Sequence, residues 1–174
     1  MVRKLLYSIT CSAIISGCAS FAPGPAESVP APARASSPER SEALLQALLA
    51  LGVDYRYGGN SPVTGFDCSG LVAHVYREAW GVRLPHSTKA QSEAGVPVSL
   101  AELQPGDLLF YDTQKRPYSH VGIYMGDGKF VHAPKAGARV RVESIESRYW
   151  ASRFDGARRI EPDPWPGPNA NFSR

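Results

Sequence analysis

The chain has 174 residues, 43% of them hydrophobic and 20% charged, with a formal net charge of +3. That is room for one globular core with appendages rather than for two domains. Arg3 and Lys4 fall in a segment expected to be removed, which lowers +3 to +1, so net charge gives no reason to expect a nucleic-acid partner.

After the basic pair comes an apolar run from Leu5 to Ile15, too short to cross a bilayer as a helix, and then Ile15-Ser16-Gly17-Cys18. This order resembles the lipobox of bacterial lipoproteins, in which the cysteine is acylated and the preceding peptide is cut off. The resemblance makes residues 1–17 a signal peptide and Cys18 the lipidated mature N-terminus; an ordinary signal peptide ending near a cysteine is the alternative. Ala19 stands where an aspartate would signal inner-membrane retention, so the expected location is the cell envelope, as an outer-membrane lipoprotein facing the periplasm if the cell is Gram-negative. Cys11 then leaves with the signal peptide and Cys18 is consumed by lipid. Cys68 remains as a thiol without a partner in an oxidising compartment, which favours a chemical role over a packing one.

Residues 18–38 are rich in Pro, Ala and Ser and lack an apolar period, so they read as an extended tether. The folded domain is expected over 39–161. Ser37-Pro38 supplies a cap and a first-turn proline, Leu44, Leu45, Leu48 and Leu51 recur at helical spacing, and Gly52 stops the helix. A loop around Pro62 and Gly65 leads to a second helix whose apolar stripe is Leu71, Val72, Val75, Tyr76 and Ala79, ending at Gly81, with Cys68 at its N-terminus. A short third helix is read over Ser87 to Glu93. Strands follow near 107–111, 119–125, 129–133, 138–143 and 156–160, and a Pro-rich tail over 162–174 is expected to be disordered. Helices first and an antiparallel sheet second is an α+β arrangement.

A helix N-terminus offers unpaired N–H groups and partial positive charge, both of which stabilise a thiolate, so Cys68 is expected to have a lowered pKa. The alternative is a small buried residue that locks helix to loop. A nucleophilic thiol needs a base, and the base needs an orienting partner. His74 lies on the polar flank of the second helix and reads as a surface residue. His120 and His132 bracket a hairpin through Gly126-Asp127-Gly128. A two-residue turn at Asp127-Gly128 would put them on opposite faces. A three-residue loop closing through a left-handed Gly128 would put both on one face, opposite Gly122, and gather Val121, Ile123, Val131 and Ala133 on the other. The second register is the better hydrophobic solution and is adopted; a paired polar patch on a solvated face is the alternative to a base and its orienter. One cysteine with scattered histidines lacks zinc-ligand spacing, so neither metal nor other cofactor is expected.

Five ordered segments carry a resemblance: Tyr55-Arg56-Tyr57-Gly58-Gly59, Gly65 to Val72 around Asp67-Cys68-Ser69, Leu103 to Leu108, His120 to Tyr124, and Phe130-Val131-His132-Ala133. Together they resemble the NlpC family of cell-wall cysteine peptidases, from about Leu44 to Ile160. The resemblance implies a papain-like fold with a mostly antiparallel sheet of five or six strands, and hydrolysis of peptide bonds in peptidoglycan stem peptides or cross-links. By matching position Cys68 would be the nucleophile, His120 the base, His132 its orienter, and Tyr55 the tyrosine beside the oxyanion site, strand packing being the other reading of Tyr55. Asp67, Ser69, Ser87 and His86 match positions that contact the stem peptide, although Asp67 also reads as a helix cap. His86 stands where the family commonly has Arg, which puts recognition of a substrate carboxylate in doubt, because His is charged only at mildly acid pH. The remaining expectations are a monomer that contacts peptidoglycan, reaches the membrane through Cys18 and binds no nucleic acid. A binder without catalysis, or an acyltransferase on the same site, are the rival readings.

Overall fold

The computed structural model describes residues 38–161. The expected signal peptide, Cys18, the tether apart from Pro38, and the tail lie outside these residues. In chain order the elements are α1 (Pro38–Leu49), β1 (Asn60–Ser61), β2 (Gly65–Phe66), α2 (Cys68–Trp80), α3 (Thr88–Ser92), β3 (Val96–Val98), β4 (Leu108–Tyr111), β5 (His120–Gly126), β6 (Lys129–His132), β7 (Arg141–Ser144), α4 (Arg148–Ala151) and β8 (Phe154–Arg159). Six strands form one antiparallel sheet in the order β3-β8-β4-β5-β6-β7, beside the two-residue ladder of β1 and β2. The expected α+β arrangement is the one observed.

α2 is the central element, and its stripe behaves as its spacing demands. Leu71, Val72, Val75 and Tyr76 are buried and Ala79 packs against the same core. Gly81 ends the helix with φ at 67°, a left-handed conformation in which its N–H reaches back to the Arg77 carbonyl and the next N–H, of Val82, to the Tyr76 carbonyl. His74 is not the free surface residue expected. Its ring lies 5.0 Å from that of Phe66 and is half-buried, and burial lowers its pKa.

The first helix forms where expected but turns a different face inward. Leu45, Leu48, Leu49 and Leu51 are exposed, whereas Ala43, Ala47 and Ala50 are buried together with Arg40. Short alanines let α1 lie close against α2. Arg40 faces the carboxylate of Asp107 at 3.5 Å, and Arg159 donates to the same fully buried carboxylate at 2.7 Å. A buried charge is tolerated when it is paired in this way.

Three strands lie outside the expected set. β3 is Val96-Pro97-Val98, and a proline that cannot donate to a ladder is accommodated because β3 is an edge strand paired only with β8. β1 and β2 have two residues each, too few to show a period, in the segment expected to be loop. The β5–β6 hairpin combines both registers considered. Ile123 pairs with Val131 and Tyr124 with Phe130, as the adopted register requires, but Gly126 pairs with Lys129 across a two-residue turn rather than a three-residue loop. Asp127 and Gly128 both have positive φ, 50° and 66°, the turn that matches strand twist. A register shift between Tyr124 and Gly126 absorbs the extra residue. His120 and His132 consequently share one face, and Val121, Ile123, Val131 and Ala133 share the core against α2.

Candidate active site

Asp67 precedes α2 in an extended conformation, φ −91° and ψ 176°, and caps it. Its Oδ1 accepts from Gly70 N–H at 2.7 Å and from the Ser69 hydroxyl at 3.1 Å, and meets His86 Nε2 at 2.9 Å; its Oδ2 accepts from Gly58 N–H at 2.9 Å. The first turn of α2, the Tyr57-Gly58 turn and His86 are therefore tied to one side chain. Gly70 has no room for a methyl group, since a Cβ there would stand 2.0 Å from the Gly59 carbonyl and 2.8 Å from His86 Nε2. Ser69, Asp67 and His86 form one hydrogen-bonded group beside the thiol. Ser87 caps α3 at the same rim, its Oγ accepting from Ala90 N–H.

The Cys68 sulfur receives backbone N–H groups from Val121, Ser69 and Cys68 itself, which favour a thiolate. Burial works in the opposite direction and is the larger effect, and the neighbouring charge of Asp67 adds to it, so the thiol is pushed up to about 11. The lowered pKa expected from the helix terminus is not what this site provides. The helix N-terminus is present, but the sulfur is too far out of water for that partial charge to prevail. Tyr55 stands close enough that the charge of Cys68, after burial, raises its pKa. Tyr55, Asp67, Cys68, Ser69, His86 and Arg116 are among the residues lining a cleft of about 380 Å³.

His120 is the first residue of β5, and the amide it shares with Val121 is one of the three that reach the sulfur. Its Nε2 lies 2.8 Å from Nδ1 of His132, and the two rings are perpendicular with centroids 5.0 Å apart. Trp150, on the four-residue α4, stacks on His120 at 5.4 Å and 26° and meets His132 edge-on at 4.9 Å. Burial, then the neighbouring His132, lowers the pKa of His120 to about 3. Burial lowers that of His132 to about 4, with Glu143 opposing and Arg141 assisting. Both imidazoles are neutral at neutral pH, the state in which one nitrogen donates and the other accepts.

Glu143 extends this chain. Its Oε1 is 3.6 Å from His132 Nε2 and accepts from Arg141 Nε at 2.6 Å, while Oε2 accepts from Trp150 Nε1–H. A second hollow of about 460 Å³, lined by Lys135, Arg141, Glu143, Tyr149 and Trp150 among others, shares Gln114 with the cysteine cleft. Sequence reasoning missed Glu143, Trp150 and Arg116. α4 is too short to show a period. The β6–β7 register that places Glu143 opposite Phe130, one step from His132, depends on an eight-residue connection that gives no turn signal fixing parity.

Comparison with known proteins places this geometry among relatives. The sequence pattern of the NlpC/P60 family matches residues 52–159. The chain is 39% identical over 121 residues to the murein DD-endopeptidase MepH of Escherichia coli (strain K12), covering 68% of this chain and 45% of that protein. It is 39% identical over 112 residues to the gamma-DL-glutamyl hydrolase of Bacillus subtilis (strain 168), covering 64% of this chain and 27% of that protein. The matched region thus spans less than half the length of either relative. The crystal structure of the NlpC/p60 domain of the peptidoglycan hydrolase SagA superposes with a TM-score of 0.61 at 34% identity, covering 70% of this chain and 98% of that one.

Proposed function

This chain belongs to the NlpC/P60 family, and from that premise we propose that it is a cysteine endopeptidase of the cell envelope, cleaving peptide bonds of peptidoglycan with Cys68 as nucleophile and His120 as base. The observation that carries the reading is the His120–His132 pair, hydrogen-bonded at 2.8 Å, with His120 on the strand whose Val121 amide touches the Cys68 sulfur. A peptidoglycan binder needs neither a thiol at a helix head nor an oriented imidazole beside it.

With thiol and imidazole both neutral at rest, the proton moves as attack proceeds. Cys68 Sγ bonds to the amide carbonyl carbon while His120 takes its proton, and the oxyanion is held by N–H groups of the helix head and by Tyr55. The C–N bond then breaks, His120 protonates the departing amine, and an acyl-thioester remains. Water, deprotonated by His120, attacks the thioester carbonyl, the C–S bond breaks and the thiol is restored with a carboxylate product. Asp67 serves as the brace of this site, and Ser69, Ser87, His86 and Arg116 face the stem peptide from the cleft. Arg116 brings a permanent cation for a substrate carboxylate where His86 lacks one.

The bond assigned is the cross-link between stem peptides, as the name of the first relative suggests, and the name of the second makes a D-glutamyl bond within one stem the competing product. Residues 1–17 are assigned as a signal peptide and Cys18 as the lipid anchor of a monomeric enzyme. Mass analysis of products from defined cross-linked muropeptides tests the first assignment: two released stems support it, and a truncated stem with an intact cross-link refutes it. Labelled fatty acid should enter the wild-type chain and not Cys18→Ala; label that persists in Cys18→Ala removes the anchor.

A further inference from the structure

Among the described residues three buried polar side-chain atoms have no hydrogen-bond partner, Gln91 Oε1, Tyr111 Oη and His132 Nε2. Two of them lie in the field of one carboxylate. Glu143 Oε1 is 3.6 Å from His132 Nε2, and the same charge helps burial to raise the Tyr111 pKa. That carboxylate is not loose. Although burial raises its pKa, hydrogen bonds from Trp150 and Arg141 and the charge of Arg141 lower it, so Glu143 stays ionised beside a neutral His132.

Building on the catalytic reading of Cys68, His120 and His132, we propose that Glu143 is a positioning residue that fixes the tautomer of His132 and, through it, the tautomer of His120. An ionised carboxylate only accepts, so it favours the His132 tautomer that carries its proton on Nε2. A neutral imidazole has one N–H, so His132 Nδ1 is then a lone pair, and the 2.8 Å contact requires His120 to donate from Nε2. Nδ1 of His120, which makes no hydrogen bond within the described chain, is left as the lone pair that takes the thiol proton. The opposite chain of bonds, with His132 donating from Nδ1, would protonate His120 on Nδ1 and remove the base. At 3.6 Å the carboxylate acts through charge rather than through a direct hydrogen bond, and because His132 Nε2 is itself buried that charge biases where the imidazole proton sits. The groups that face the pair are His120 from β5, Tyr111 from β4, and Arg141 and Glu143 from β7; Trp150 of α4 is uncharged. Arg141 shares Oε1 and partly offsets it.

Long-range 15N–1H spectra of the 15N-labelled full chain read each histidine tautomer directly. Both His120 and His132 should be Nε2–H near neutral pH in the wild type; a His132 found as Nδ1–H overturns the proposal whatever any variant does. Glu143→Gln presents an amide that can donate to Nε2, so His132 should become mixed or inverted. With KM nearly unchanged, kcat should fall about 10²-fold, less than the ~10⁴-fold loss seen when a directly bonded catalytic imidazole is inverted. Arg141→Gln, which removes the opposing cation, should keep the Nε2–H tautomer and lose little activity. If both variants lose activity alike while the tautomers stay fixed, Glu143 is only structural and the proposal fails. His120→Ala separates the two readings: if it abolishes hydrolysis while Glu143→Gln changes neither tautomer nor kcat, only the role of Glu143 falls. If His120→Ala leaves hydrolysis intact, the catalytic reading falls with it.

Discussion

On the side of the sheet that meets α2, β4, β5 and β6 contribute Leu108, Phe110, Val121, Ile123 and Val131, every one fully buried and hydrophobic. On the opposite side the same strands contribute Leu109, Tyr111, His120, Phe130 and His132, equally withdrawn from water but polar at three of five positions. Burial therefore does not distinguish scaffold from site in this protein; what distinguishes them is whether the buried atoms need partners. The α2 side is stabilised by removal of apolar surface and tolerates any well-packed aliphatic set. The other side is a layer in which burial forces the imidazoles neutral and sets the two rings perpendicular to each other. Because strand side chains alternate, His120 and His132, the proposed base and orienter, are each one residue from a core anchor, Val121 and Val131.

The comparison breaks most sharply in activity. Cys68→Ser should lower hydrolysis of purified peptidoglycan by ~10³-fold or more, and His120→Ala nearly as much, with the double variant scarcely worse, because nucleophile and base act as a unit. Cys68→Ser should keep near-wild-type thermal stability, and wild-type hydrolysis by Cys68→Ser would end the distinction drawn between the two faces.

The reverse separation is expected on the α2 side. Ile123→Ala should destabilise the fold by about 2–5 kcal/mol, read by denaturant unfolding, with kcat per folded molecule little changed. A loss of kcat larger than the loss of folded protein would show that the two faces are not separable.

Acid should find the histidine face first. His120 and His132 titrate near 3 and 4 in the folded chain against 6.5 without burial, so as pH falls below 6.5 the unfolded chain takes up protons that the folded one refuses. Stability present above 6.5 is lost as pH falls towards 4 and then 3. Tm recorded across that window should decline, and His132→Ala should flatten the decline; an unchanged slope would mean that His132 is not held neutral.

The smallest effect belongs to a surface contact. Arg139 and Asp54 are bonded at 2.9 Å with both side chains more than 70% exposed, and Arg139→Ala should cost no more than about 1 kcal/mol, fading further in salt. A larger cost would mean that the strand segment carrying Tyr55 depends on this pair.

Periodicity and local chemistry determined a good part of this protein. The α2 stripe and its Gly81 stop, the placement of Cys68 at a helix head, and the shared face of His120 and His132 all depend on residues no more than about a dozen positions apart, within one helix or one hairpin, where spacing decides which side chains meet. The hairpin shows the limit of that reasoning: its hydrophobic pattern specified the register, but the way the chain reached it, a two-residue turn plus a bulge, was settled by backbone twist. Tertiary structure alone decided the rest. α1 turns its alanines inward because α2 must approach closely and Arg40 must reach Asp107, a partner 67 residues away. Glu143 and Trp150 join His132 because β7 and α4 return to its side of the sheet, and the Cys68 thiol is raised rather than lowered because the same packing that aims three N–H groups at the sulfur also removes it from water. Distance along the chain conceals such pairings, and desolvation is a property of the assembled neighbourhood that no single segment carries.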